Sequence, residues 1–97
     1  MKIYNVYILL CSDKSYYTGI TSDLNGRLES HQNGKEKDSY TYSRRPVELV
    51  YHCEFTDPMM AITFEKRIKK WSRLKKEALI QGAYEKLPQL AKKKFEA

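Results

Sequence analysis

Two short hydrophobic segments separated by four polar residues constrain the fold of this chain more than any other feature. Residues 6–11 (VYILLC) are hydrophobic at every position, which is typical of a strand that is buried on both faces. Residues 16–20 (YYTGI) are rich in residue types that favour strands, and residues 12–15 between them have the composition of a turn. Because four residues are too few for a crossover connection, the pattern predicts an antiparallel hairpin.

A short helix, a loop and a third strand are predicted to follow the hairpin. Ser22 or Asp23 supplies a capping side chain, and residues 33–34 (Asn-Gly) supply a stop. The residues of this helix that recur at helical spacing are Leu24, Leu28 and His31. Residues 35–45 (KEKDSYTYSRR) are polar and without periodicity, which predicts a loop. Residues 47–55 alternate between hydrophobic and mostly polar positions, which predicts a strand.

The remainder of the chain is predicted to be helical. Asp57 followed by Pro58 is a helix start, a capping side chain before a proline at the first helical position. The helix is expected to run to about residue 81, where Gly82 follows. Its side toward the sheet is a hydrophobic stripe with spacings of three and four, Ala61, Phe64, Ile68 and Trp71. Residues 84–95 predict a weaker helix.

These elements give the order β-β-α-β-α-α, an α+β fold with a small three-stranded antiparallel sheet flanked by helices. A length of 97 residues allows a single domain. We expect residues 1–82 to form the compact part and residues 83–97 to form a basic, helical tail of the same domain.

The distribution of charge along the chain is lopsided. Residues 1–65 contain seven Lys and Arg against nine Asp and Glu, whereas residues 66–97 contain eleven against three. A localised basic surface is typical of proteins with an anionic partner, nucleic acid first and an acidic protein or a membrane surface second. A solvated helix face that keeps a small protein in solution is the plainer alternative.

Composition excludes several classes of protein. No hydrophobic run approaches the ~20 residues that cross a bilayer, and the longest, residues 6–11, lacks the cleavage site of a signal peptide. Cys11 and Cys53 make neither a disulfide framework nor a zinc site, so we expect both to be reduced and buried. The expectation is therefore a cytoplasmic protein with no membrane partner and no organic cofactor.

Four polar residues could converge on one surface and carry chemistry, namely Tyr7, Tyr17, Arg27 and Glu65. Pairing across the turn sets residue 7 opposite residue 20 or one near it, so that both phenols can share a face. A guanidinium binds phosphate oxygens in pairs, a single carboxylate often holds Mg²⁺, and a phenol beside a cation can accept a proton from water. Together they predict metal-assisted phosphodiester hydrolysis. Taken singly, each is more typical of a packed aromatic or of a solvated helix residue than of a catalytic one.

The segment VYILLCSDKSYYTGITSDLNGRLESH resembles the core of the GIY-YIG nuclease domain. The family's first motif falls on residues 5–7 (NVY) and its second on residues 17–19 (YTG), and Arg27 follows ten residues after Tyr17. The segment AITFEKRIKKWSRLKKEALI is similar to the family's second helix, which carries a metal-binding glutamate. The resemblance covers roughly residues 3–80 and is strongest to small single-domain members described as uncharacterised.

The resemblance implies a divalent cation, usually Mg²⁺ or Mn²⁺, and endonucleolytic hydrolysis of DNA in repair, recombination, restriction or intron homing. It implies catalytic roles for Tyr7, Tyr17, Arg27 and Glu65, with Glu65 as the metal ligand and either tyrosine as the general base. His31, one helical turn beyond Arg27, is a further candidate that could position a water or a phosphate.

The chain also departs from the family pattern. Asn5 replaces a motif glycine, Thr18 replaces a motif isoleucine, and no asparagine follows Glu65. The missing asparagine favours a second hypothesis, a non-catalytic nucleic-acid-binding module of the same fold. A third hypothesis is a nuclease subunit that is active only when a partner protein presents or targets its substrate.

DNA is the expected partner, recognised by structure rather than by sequence, because the chain contains no base-reading motif. Phosphate contacts are expected from six basic residues, Arg44, Arg45, Lys69, Lys70, Arg73 and Lys76.

Overall fold

The computed structural model describes residues 2–82 as three strands and three helices in the predicted order. The elements are strands β1 (Tyr4–Leu10), β2 (Tyr16–Thr21) and β3 (Glu48–Phe55), and helices α1 (Leu24–Asn33), α2 (Pro58–Lys69) and α3 (Arg73–Ile80). The α+β fold with a three-stranded antiparallel sheet is therefore confirmed. The tail helix predicted at residues 84–95 lies outside the described residues, and none of the described helices is long and apolar enough to cross a membrane.

Strand β1 lies in the middle of the sheet, between β2 and β3. In the β1–β2 pair, Tyr7 lies opposite Gly19 and Leu9 lies opposite Tyr17, one residue away from the predicted pairing of residues 7 and 20. Because side chains alternate between the two faces of a sheet, this register places Tyr7 and Tyr17 on the same face.

Each face of β1 contributes to a separate core. Val6 and Ile8 pack with residues of α2 and α3, among them Ala61, Ile68 and Leu79. On the other face, the core consists of Tyr7, Leu9, Cys11 and Val47, with Leu24 and Leu28 of α1 packed against it. The hydrophobic first strand is thus explained by helices on both sides of a small sheet.

Helix α1 is fixed at both ends by polar contacts. The carboxylate of Asp23, rather than the hydroxyl of Ser22, caps its start by accepting a hydrogen bond from the Gly26 amide at 3.1 Å. Gly34 ends it in the left-handed conformation, with φ of 65°. The side-chain amide of Gln32 bonds both backbone groups of Val47 and so joins the end of α1 to the residue before β3.

The prediction of one continuous helix from residue 58 to residue 81 is wrong. Helix α2 ends at Lys69, and the hydroxyl of Ser72 caps α3 by accepting a hydrogen bond from the Lys75 amide at 3.2 Å. A serine that bonds the backbone in this way favours a new helix start over the middle of an existing helix. Trp71 lies in the break and packs, partly buried, against the core.

Candidate active site

Tyr7 lies flat across β2 at Gly19. A Cβ atom at residue 19 would come within 2.5 Å of Cζ of Tyr7, so that any side chain there would displace the phenol. Because β2 is an edge strand, the glycine of the second motif allows the Tyr7 hydroxyl to extend over the backbone toward the outside of the sheet. This explains in steric terms why a glycine two residues after Tyr17 suits this site.

A chain of buried hydrogen bonds holds the Tyr7 hydroxyl. It lies 3.0 Å from Nε2 of His31, and Nδ1 of His31 lies 2.8 Å from Oγ1 of Thr41. Tyr7 and Thr41 are fully buried, and His31 is 7% exposed. Both ring nitrogens of His31 therefore bond groups within the protein, and His31 holds the hydroxyl of Tyr7 in place. For His31 to position a water or a phosphate, as the sequence predicts, one of these two hydrogen bonds has to open.

Burial keeps both members of the Tyr7–His31 pair uncharged near neutral pH. Burial raises the pKa of Tyr7 far above its ordinary value, the Tyr17 and Glu65 side chains raise it further, and the Arg27 guanidinium opposes them. Burial also lowers the pKa of His31, and Arg27 lowers it further.

Tyr17 and Arg27 share an open pocket. The Tyr17 ring is half-buried, with its centroid 6.3 Å from that of Tyr7 and 5.1 Å from that of His31. A cavity of about 280 Å³ is lined by Tyr17, Arg27, Ser30, His31, Glu36 and Ser39. Arg27 is exposed and has its guanidinium available to an anion that enters this space.

Glu65 supplies a buried carboxylate from α2. The residue is 7% exposed, and Nζ of Lys69 lies 2.6 Å from its Oε2. Within residues 2–82 no three His, Cys, Asp or Glu side chains gather as a metal-binding group. A single carboxylate nevertheless fits Mg²⁺ or Mn²⁺, because Mg²⁺ keeps several waters and takes other ligands from substrate phosphates.

A second cavity, of about 250 Å³, adjoins the first because Tyr17 lines both. Its lining residues are Tyr16, Tyr17, Thr18, Tyr40, Lys69 and Lys76, and we call it the Lys76 groove. The ring of Tyr40 stacks on that of Tyr17, with the centroids 6.0 Å apart. Tyr17, on the edge strand β2, therefore contributes to both cavities.

The two arginines expected to bind nucleic acid from the loop before β3 are held within the protein. Arg44 pairs with Asp13 at 2.9 Å and donates to the Tyr40 carbonyl at 2.7 Å. Arg45 donates to the carbonyls of Tyr42 at 2.9 Å and Gln32 at 3.3 Å. These contacts explain how an otherwise polar loop is held in place over α1.

The four expected contact residues of α2 and α3 differ in how available their charges are. Lys69 pairs with Glu65, and Arg73 donates to the Lys14 carbonyl at 2.6 Å. Lys70 is exposed at the end of α2, and Lys76 is half-buried in the Lys76 groove. Lys70 and Lys76 are therefore better placed for phosphate contacts than the two loop arginines.

Sequence reasoning missed two residues of this site, Thr41 and Tyr40. Both belong to the segment predicted as a plain polar loop, where Thr41 is fully buried beneath His31 and a short 3-10 turn (Tyr42–Arg44) follows. The alternation of tyrosines 40 and 42 with small polar residues was the available signal that part of the loop packs against the domain.

The sequence is similar to those of known proteins. Residues 3–78 match the family model described as the GIY-YIG catalytic domain. A UPF0213 protein of Bacillus pumilus is 47% identical over 75 residues, which cover 77% of this chain and 76% of the relative. Another UPF0213 protein, from Syntrophus aciditrophicus, is 47% identical over 83 residues, which cover 84% and 94% of the two chains.

Two solved structures are also similar to this chain. The NMR structure of the UPF0213 protein BH0048 from Bacillus halodurans is 40% identical, with a TM-score of 0.54 and coverage of 81% of this chain and 83% of that one. The NMR structure of the protein EF2693 from E. faecalis is 32% identical, with a TM-score of 0.61 and coverage of 87% and 88%.

Proposed function

The chain belongs to the GIY-YIG family, a nuclease family, and from this premise we propose that it is a divalent-metal-dependent endonuclease that hydrolyses DNA phosphodiester bonds. The observation that best supports the proposal is the gathering of Tyr17, Arg27 and His31 around one pocket, with the hydroxyl of Tyr7 hydrogen-bonded to His31. We extend the proposal to structure-selective action in DNA repair or recombination, with the free cysteines in keeping with a cytoplasmic location.

Arg27 binds the scissile phosphate in this proposal. Its exposed guanidinium lines the pocket and matches two phosphate oxygens, so it orients the group and stabilises the charge that develops on it. Glu65 would hold Mg²⁺ or Mn²⁺, which when bound would polarise the phosphorus centre and neutralise the leaving oxygen.

Of the two tyrosines, Tyr17 is better suited to be the general base. Tyr7 is fully buried, its hydroxyl is bonded to His31, and burial raises its pKa, all of which oppose the phenolate form. Tyr17 is half-buried and lines the pocket beside Arg27, where it can accept a proton from an attacking water. Tyr7 and His31 then act as positioning residues that hold the neighbouring ring of Tyr17.

The test is cleavage of a panel of supercoiled, flap and branched DNA in Mg²⁺ and in Mn²⁺. The wild type is compared with Glu65→Gln, Arg27→Ala and Tyr17→Phe, and circular dichroism checks that each variant folds. We expect the wild type to cleave and the three variants to lose roughly 10²-fold or more of the rate. Equal cleavage by wild type and Glu65→Gln would contradict the proposed site.

A non-catalytic nucleic-acid-binding module is the second candidate function. Two observations favour it: no asparagine follows Glu65 in the sequence, and Lys69 already pairs with the Glu65 carboxylate. Binding of the panel by the wild type without cleavage in either metal would support this candidate. Equal binding by Glu65→Gln would strengthen it, since a binding module has no need of that carboxylate.

A further inference from the structure

The hydrogen bonds behind the candidate active site continue beyond the Tyr7–His31 pair and reach the cavity. Oγ1 of Thr41, which lies 2.8 Å from Nδ1 of His31, also lies 3.2 Å from Oγ of Ser39. Ser39 is half-buried and lines the cavity that Arg27 also lines. The hydrogen bonds therefore form one chain from the buried phenol of Tyr7, through His31 and Thr41, to Ser39.

The burial of Tyr7 sets the direction of this chain at its inner end. The phenol is fully buried, and its hydroxyl has Nε2 of His31 as its one hydrogen-bond partner within residues 2–82. Burial raises the pKa of Tyr7, so the hydroxyl keeps its hydrogen near neutral pH. If Nε2 of His31 were the donor, the phenol hydrogen would be buried without an acceptor, which costs stability. The Tyr7 hydroxyl therefore donates to Nε2.

The positions of the next two hydrogens follow from this first one. A neutral histidine carries a hydrogen on only one ring nitrogen. Because Nε2 of His31 accepts, the ring hydrogen lies on Nδ1 and is donated to Oγ1 of Thr41. Thr41 is fully buried as well, so its own hydrogen is donated to its other partner, Oγ of Ser39. The hydroxyl hydrogen of Ser39 is then the first of the chain that has no acceptor in the described part of the protein.

We propose that Thr41 is a positioning residue that holds His31 in the Nδ1–H form, and that the Ser39 hydroxyl donates a hydrogen bond to the phosphate bound by Arg27. The second part rests on the proposed function, because it takes the ligand of the cavity to be the scissile phosphodiester. His31 has no hydrogen left for a phosphate in this arrangement, so Ser39 takes the phosphate-positioning role that the sequence predicts for His31.

The composition of the cavity favours a ligand that accepts hydrogen bonds. The Arg27 guanidinium and the Ser39 hydroxyl are both donors, and a hydroxyl that already accepts a hydrogen bond is the stronger donor for it. The Glu36 carboxylate is the competing acceptor of the cavity, but it is exposed and makes no hydrogen bond with the Ser39 hydroxyl among residues 2–82. A phosphate oxygen that enters beside Arg27 can therefore accept from Ser39.

The direction of the chain is measured on the wild type by nitrogen-15 NMR of the histidine rings. At about pH 8, above the ordinary histidine pKa, the couplings between ring nitrogens and carbon-bound hydrogens show which nitrogen carries the hydrogen. We expect His31 in the Nδ1–H form, with the exposed His52 as the reference for a solvated ring. Thr41→Ser keeps the hydroxyl and should keep this form. His31 in the Nε2–H form would refute the chain.

The phosphate contact is measured by fluorescence anisotropy of a labelled DNA duplex in EDTA, where no metal is available for cleavage. Ser39→Ala should weaken binding about tenfold, because hydrogen bonds to charged groups are the stronger kind. Ser43→Ala is the matched control, since it removes an exposed hydroxyl from the same loop away from the cavity, and it should bind like the wild type. Equal affinity of the two variants would refute the contact.

The role of Thr41 is separated from a merely structural one by a double-mutant cycle. Thr41→Val keeps the shape of the side chain and removes the hydroxyl, so it should weaken duplex binding about threefold in the wild type and hardly at all in Ser39→Ala. The same loss in both backgrounds would refute the action of Thr41 through Ser39. The NMR measurement on the wild type decides the direction of the chain even if Thr41→Val does not fold.

Failure of the proposed function gives a different result from failure of this inference. A wild type that binds the duplex in EDTA but cleaves DNA in neither metal would overturn the proposed function, and weaker binding by Ser39→Ala would still support the phosphate contact. A wild type that cleaves, with Ser39→Ala binding the duplex equally well, would overturn this inference alone.

Discussion

At the scale of single residues, the contact between Gly19 and Tyr7 shows how a motif position acts through shape. Gly19 has no part in the chemistry, yet the space above its Cα is filled by the Tyr7 phenol. That phenol is fully buried and in turn bonds His31. The second motif therefore shapes the surroundings of the first, because a side chain at residue 19 would occupy the space that the Tyr7 ring fills.

Gly19→Ala should destabilise the protein by about 1–3 kcal/mol, because the new methyl group overpacks the site and forces Tyr7 to move. Urea unfolding followed by circular dichroism measures the loss. In a Tyr7→Leu background the same substitution should cost much less, and this difference in a double-mutant cycle assigns the effect to the contact. Additive effects would contradict the steric explanation.

His31 should make the stability of the protein dependent on pH. Burial lowers its pKa below the ordinary value of about 6.5, so below this pH the unfolded chain binds a proton more readily than the folded one. The contribution of neutral His31 to the free energy of unfolding is fully present above about pH 6.5. This contribution is lost as the pH falls through and below this value. Wild type and His31→Gln, compared by urea unfolding near pH 7.5 and pH 5.5, should therefore differ in pH dependence.

His52 provides the control for this comparison. It is the other histidine of the chain, it is exposed, and no structural partner restrains it within the described residues. His52→Gln makes the same substitution at an exposed position and is measured beside His31→Gln. The same loss of stability on acidification in wild type and His31→Gln would show that His31 does not carry the effect.

The sequence predicts only those residues of the site that belong to the spaced motifs. Tyr7, Tyr17, Arg27 and Glu65 are assigned from the positions of the motifs. Tyr7 and Tyr17 lie side by side and Arg27 shares a pocket with Tyr17, whereas Glu65 lines neither of the two cavities described above. The role of Thr41 was not predicted, because it depends on a loop that folds back over α1. The alternation around Tyr40 and Tyr42 indicates that this loop packs, but it does not indicate which residue it covers.

At the scale of secondary-structure elements, the hairpin and the strands were predictable because their signals are local. Alternation and turn composition identified all three strands within one or two residues at each end. The break between α2 and α3 could not be predicted in this way, because the hydrophobic stripe keeps its helical spacing through the break. The stripe consists of Ala61, Phe64, Ile68 and Trp71. Only the capping role of Ser72 distinguishes two helices from one.

Ser72→Ala should therefore destabilise the protein by about 1 kcal/mol, through loss of the hydrogen bond from the Lys75 amide to the Ser72 hydroxyl. Thermal or urea unfolding measures the change. Ser43→Ala, which alters an exposed serine in the 3-10 turn, is the control and should stay within about 0.5 kcal/mol of the wild type. A Ser72→Ala variant as stable as the control would show that packing alone sets the break.

At the scale of the whole molecule, the basic residues of helices α2 and α3 lie on one side of the sheet. Residues 66–82 contain seven Lys and Arg and one acidic residue, and they belong to the two helices that pack on one face of the sheet. The arginines of the loop before β3 are instead bound to carbonyls and to Asp13. Under the proposed function, the basic surface that binds DNA is thus expected on α2, α3 and the adjoining edge of β2.

The salt dependence of DNA binding separates these two groups of residues. Each phosphate contact on duplex DNA adds about −0.9 to the slope of log K against log salt concentration, so Lys76→Met should make that slope shallower by about one. Arg45→Met should leave the slope unchanged but lower the free energy of unfolding, because the Arg45 guanidinium bonds the Tyr42 and Gln32 carbonyls and lies 4.7 Å from the centre of the Tyr42 ring. Fluorescence anisotropy of a labelled duplex across a range of salt concentrations measures the slopes, and urea unfolding measures the stabilities. A slope that responds to Arg45 and not to Lys76 would move the DNA path from the β2 edge to the loop side of the molecule.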